Sequence, residues 1–196
     1  MKRLLATLIV LTLFAACVSG DDYLNAFTFI RRWNSFDAVK KNESLHIEEN
    51  KLWHDDCGDY EEYAVFFAGD EYMMRLLCKK TTEYIHLASL TGLYANGKFT
   101  EKQEKAFYEL VCLMISAMCG LEAMEAANLL KCGCLDKPEA AHYYEQGFYS
   151  YSSIEDGLGV TFKIVNLRLS PKEIPELTLM PTTMPLTNTS QTTAAP

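Results

Sequence analysis

The residues with the most chemistry in them stand side by side at His54-Asp55-Asp56-Cys57. An imidazole next to a carboxylate can take a proton from water, so this element is the first candidate for hydrolysis. The acidic run continues through Asp59, Glu61 and Glu62, and clustered carboxylate oxygens suit a hard cation such as calcium. The spacing does not suit an EF-hand, because Gly58 falls too early in the loop. Asp59 with Glu62 also has the form of a capping box, and carboxylates at a helix start satisfy the helix dipole without any ion. The element is therefore read as a solvated acidic loop leading into a helix.

His54-Asp55-Asp56-Cys57 resembles the His-Asp-x-Cys element of secreted phospholipases A2, which implies a histidine that activates water and an aspartate that helps hold calcium. The likeness covers four residues. Where that family carries paired cysteines this chain has Asn50 and Lys51, and no Gly-rich calcium loop lies upstream. His46, His86 and His142 are isolated, and neither Gly-x-Ser-x-Gly nor His-Glu-x-x-His occurs. No catalytic residue, cofactor or metal site is expected. His54 is read as dispensable, with a phospholipase A2-like lipase kept as an alternative.

The chain begins as an exported one. Lys2 and Arg3 precede an apolar run from Leu4 to Ala16, too short to span a bilayer, and cleavage after Gly20 would make Asp21 the mature N-terminus. Residues 1–20 are thus read as a signal peptide and the protein as secreted and extracellular. Losing Lys2 and Arg3 takes the formal charge from −8 to −10, which argues against nucleic acid and against stable membrane insertion. Cys57, Cys78, Cys112, Cys119, Cys132 and Cys134 remain, an even set that reads as a disulfide framework in an oxidising compartment. Cys112 and Cys119 lie about 10 Å apart along one expected helix and cannot pair with each other. Two sequons, at Asn42 and Asn188, mark glycosylation sites.

Apolar spacing then supplies the elements. Leu24, Phe27, Ile30, Trp33, Phe36 and Val39 recur every third position, as on a slowly rotating helical stripe, although Ala26 to Ile30 also reads as a short strand. Tyr60, Tyr63, Phe66 and Phe67 suggest a helix up to Gly69, and Tyr72 through Tyr94 a second helical face. Thr100 with Gln103 is a capping box that opens a third, almost wholly apolar helix, bent near Gly120 and continuing to Cys132. The turn at Asn96-Gly97 would fold these segments into an antiparallel helical hairpin and bring Cys78 level with Cys112 and Cys119. Val160, Phe162 and Ile164 alternate with polar residues as in a strand.

The expected architecture is mainly α: a disulfide-linked helical bundle over residues 21–177 with a minor C-terminal strand pair. Residues 178–196, rich in Thr and Pro, form a disordered, O-glycosylated tail. The function read from this is a secreted, non-enzymatic interaction protein acting through its helical surface, with an unknown extracellular protein as partner. A carrier of a small apolar ligand is one alternative, since Met73, Met74, Met114, Met118 and Met124 with Tyr72 and Phe107 can line an adaptable pocket. A structural glycoprotein of an extracellular matrix or mineralised layer is another.

Overall fold

A computed structural model describes residues 24–95, 97–136 and 142–169. The signal peptide, the 178–196 tail and Asn188 lie outside them. Seven antiparallel strands form one sheet, β1 (Trp53–Cys57), β2 (Tyr60–Phe67), β3 (Tyr72–Lys79), β4 (Ile85–Leu93), β5 (His142–Gln146), β6 (Tyr149–Glu155) and β7 (Gly159–Asn166). Their order is β1-β2-β3-β4-β7-β6-β5. Among the described residues four α-helices accompany it: α1 (Ala26–Ser35) and α2 (Asp37–Lys41) before the sheet, α3 (Glu101–Cys119) and α4 (Ala123–Cys132) between β4 and β5.

The expected helical bundle is therefore wrong: the helices expected up to Gly69 and from Tyr72 to Tyr94 are the strands β2, β3 and β4. Tyr60–Phe67 and Tyr72–Lys79 pair as a hairpin, Phe67 opposite Tyr72 and Val65 opposite Met74. Gly69, read as a helix stop, is the hairpin turn, where Ala68, Gly69 and Asp70 all take positive φ. The Asp59-to-Glu62 capping box is another turn. Gly58 and Asp59 join β1 to β2 in a two-residue hairpin loop, with Gly58 at the first central position at φ 73°. The antiparallel helical hairpin about residue 97 disappears with them, because its first arm is β4.

Other elements match their spacing. The helix over the Leu24–Val39 stripe is present as α1 and α2, broken at Phe36. α3 opens on Thr100, whose hydroxyl accepts from Gln103 N while Gln103 closes the box on the Thr100 backbone. Gly120, left-handed at φ 70°, ends α3, and α4 departs at 109° to it. No single helix among the described residues is long and apolar enough to cross a membrane. Val160, Phe162 and Ile164 do form a strand, β7, but it lies centrally between β4 and β6.

Because side chains alternate across a sheet, the register sorts them onto two faces. On the first, Val65, Met74, Leu76, Leu90, Phe162 and Ile164 pack against Phe29, Ile30 and Trp33 of α1 and Phe107, Val111 and Met114 of α3. Gly92 allows that contact. A Cβ there would come within 2.5 Å of the Phe99 ring and 2.8 Å of Phe107. On the second face, Tyr60, Leu77, Leu87 and Val165 form a separate buried cluster that no described helix residue joins.

The disulfide framework is also overturned, since all six cysteines are free thiols. Cys78 packs on the helix side of β3, under the start of α1, and its sulfur accepts from the Ala26 backbone N–H. Cys119 lies over β6, its sulfur 3.5 Å from the Tyr151 hydroxyl. β3 and β6 are three strand positions apart, about 14 Å, whereas a disulfide needs Cα atoms within about 7 Å. Cys57 and Cys78 sit on opposite faces of the sheet.

Candidate functional site

The His54-Asp55-Asp56-Cys57 element forms the exposed edge strand β1. Neighbours on a strand point to opposite faces, so His54 and Asp55 cannot act on one water. The His54 ring stacks on Tyr63, with centroids 4.9 Å apart, and its Nε2 lies 3.8 Å from Glu61. The acidic run is dispersed in the same way. Asp56 accepts from Lys80 Nζ at 2.6 Å, which lowers its pKa, Glu61 accepts from the Tyr63 hydroxyl, and Glu62 pairs with Arg75. Burial, and then the Glu61 bond, push the Tyr63 phenol up to about 12. No cluster of three or more His, Cys, Asp or Glu residues suited to a metal occurs among the described residues. His46, His86 and His142 occupy a loop, β4 and β5.

Among the described residues, a well-formed concavity lies where α3 and α4 diverge. This groove has a volume of about 470 Å³, within the range of small-molecule sites. Tyr108, Cys112, Ala127 and Leu130 line it, while Glu101, Glu104, Glu109 and Asp136 outnumber Lys105 and Lys131 among its charged residues. The helix spacing explains the placement: Tyr108 and Cys112 are four residues apart on α3, and Ala127 and Leu130 three apart on α4. The Tyr108 and Ser153 hydroxyls are both buried and lie beside each other. Burial and then Glu109 raise the Cys112 pKa. Of these residues only Cys112 was singled out in the sequence. The methionines expected to line a pocket do not reach the groove: Met74, Met114 and Met118 are core, Met73 is buried on the second face, and Met124 is 75% exposed.

The second face holds the other concentration of polar groups. Residues directly opposite one another form a row across it, Arg75 facing Ser89 and Ser89 facing Lys163, with Ser152 beyond. Arg75 Nε donates to Glu62, and both side chains are nearly inaccessible. The Thr91 and Thr161 hydroxyls meet at 3.0 Å in the next row. At the far end His86 is the extra residue of a bulge, since Leu77 faces Leu87 while Cys78 faces Ile85. It is fully buried beside the Tyr60 ring, and neither ring nitrogen has a partner. A charge inside a buried strand was the available signal: Arg75 interrupts Met73-Met74 and Leu76-Leu77, and Lys163 stands between Phe162 and Ile164.

The Asn42 sequon is exposed, and Asn42 Oδ1 accepts from Ser44 N at 3.3 Å and Ser44 Oγ at 2.8 Å. No family model, curated protein or solved structure matches this chain.

Proposed function

We propose that the protein is an exported, non-enzymatic binding domain whose α3–α4 groove holds a small, mainly apolar molecule that is neutral or cationic. The observation that carries this reading is the groove itself: apolar side chains line it, and more carboxylates than ammonium groups surround it. Apolar contact supplies affinity and the acidic rim disfavours anions. Export rests on the charged start and apolar run of residues 1–20, because free cysteines no longer argue for an oxidising compartment.

Cys112 provides an internal reporter, being half-buried in the groove while Cys132 and Cys134 are exposed outside it. Nile red, a neutral apolar probe, should bind the full mature chain and slow alkylation of Cys112 without slowing that of Cys132 or Cys134. Ala127→Trp, which fills the groove, should weaken Nile red binding at least tenfold while the protein stays folded by circular dichroism. Unchanged binding in folded Ala127→Trp, with no protection of Cys112, would remove the groove as the site. N-terminal sequencing of protein from the culture medium should begin at Asp21.

A further inference from the structure

The Asn42-Glu43-Ser44 sequon is built into the fold. Asn42 ends α2 and caps a single 3₁₀ turn, Glu43–Leu45. The turn is pinned from two sides: the Ser44 carbonyl accepts from the Ala68 N–H at 2.9 Å, and the Leu45 carbonyl accepts from Trp33 Nε1 at 2.9 Å. Within it the Ser44 hydroxyl and backbone N–H both donate to Asn42 Oδ1, which fixes the plane of the carboxamide. Nδ2, the atom that carries an N-linked glycan, is the other end of that amide. Asn42 and Ser44 also line a cavity of about 350 Å³ between this turn and α3. Leu45, Leu110 and Leu113 give it apolar walls, and Glu71 and Glu109 stand at it as exposed carboxylates.

We propose that Asn42 carries an N-linked glycan whose first N-acetylglucosamine folds back into this cavity. The proposal rests on the export reading, because the modification takes place in the secretory pathway. Asn42 Nδ2 attacks the anomeric carbon of a lipid diphosphate-linked oligosaccharide. The new C–N bond replaces the C–O bond to the diphosphate, the lipid diphosphate leaves, and Nδ2 gives up one proton. The sugar has the chemistry of the cavity: its ring C–H groups and acetyl methyl suit the leucine walls, and its hydroxyls and amide N–H can donate to Glu71 and Glu109. Such contacts are weak between free molecules. The covalent link makes them intramolecular, and a short tether supplies an effective concentration in the millimolar range. The cavity shares Glu109 with the α3–α4 groove and none of its other lining residues, so Nile red binding can fail there without touching the sugar.

The full chain carrying Asn188→Gln, secreted from a eukaryotic cell line restricted to high-mannose glycans, isolates the first sequon. Mass spectrometry should find Asn42 glycosylated, and endoglycosidase H then leaves one N-acetylglucosamine on it. In the trimmed protein the acetyl methyl should show nuclear Overhauser contacts to the Leu110 and Leu113 methyls. Its thermal midpoint should lie about 2–4 °C above that of Asn42→Gln. Ala106→Trp, which fills the cavity, should remove the contacts and the difference in midpoint while leaving occupancy of Asn42 unchanged. The contacts in the unsubstituted cavity decide the matter even if Ala106→Trp folds poorly. Secreted protein with unmodified Asn42 would overturn the proposal. So would a glycosylated Asn42 whose acetyl methyl contacts neither leucine, because the sugar would then extend into solvent. A chain retained in the cytosol would remove the export reading together with the glycan, an outcome distinct from both.

Discussion

On the helix-covered face of the sheet, β3, β4 and β7 present Met74, Leu90 and Phe162, and these side chains meet only other apolar groups. One residue along, the same strands present Arg75, Ser89 and Lys163 to the opposite face. Both sets are largely buried, yet they reach burial by different physics. The first gains from removing apolar surface from water and asks only that shapes fit. The second holds ionic groups away from water, and each charge then depends on a specific partner. Stability should respond to volume on one face and to charge on the other.

Arg75→Met is expected to produce the largest change, because it leaves Glu62 buried with no guanidinium. The cost should be about 3–5 kcal/mol in urea unfolding. Adding Glu62→Gln should recover most of it, and a double variant no more stable than Arg75→Met would show that the pair is not coupled as described. On the helix face the corresponding probe is steric. Gly92→Ala should destabilise by about 1–3 kcal/mol, since Phe99 and Phe107 must move away from the new methyl group. An unchanged urea midpoint would mean that α3 does not press on β4 as closely as the geometry indicates.

A smaller effect follows from His86. Burial first, then Lys79, lower its pKa in the folded protein, so the unfolded chain binds the proton more readily. The associated stability is present above the unfolded histidine pKa of about 6.5 and is lost as pH falls below it. Wild-type stability should therefore drop from pH 7.5 to 5.5 more steeply than that of His86→Leu. Parallel pH profiles would contradict the buried neutral imidazole. Thiol reactivity separates exposed from buried positions without altering stability. Cys57, Cys132 and Cys134 should alkylate quickly without reductant, whereas Cys78 and Cys119, both pushed up to about 12 chiefly by burial, should react only on unfolding.

Much of the helix side was legible in the sequence. α3 announces itself through the Thr100–Gln103 box and ends at a glycine, and α1 through a stripe that includes Phe29-adjacent Ile30 and Trp33. β7 shows the alternation of a strand because Val160, Phe162 and Ile164 are separated by Thr161 and Lys163. β2, β3 and β4 were illegible for the opposite reason. Their two faces are both buried, so apolar residues occur in runs, and a run satisfies helical spacing as readily as strand spacing. Gly120 marks a bend in the sequence, but the α3–α4 groove depends on the 109° size of that angle, which the residue types do not specify. The cysteines misled through their even number, which carries no information about which face of which strand holds each one.

Whether the α3–α4 groove is where a small apolar molecule binds is tested most directly by methyl-labelled NMR of the full mature chain titrated with Nile red. Nile red should perturb the Ala127 and Leu130 methyls and leave Leu87 and Val165, on the opposite face of the sheet, unmoved. Perturbation of Leu87 and Val165 instead, or of neither pair at saturation, would contradict the groove as the site.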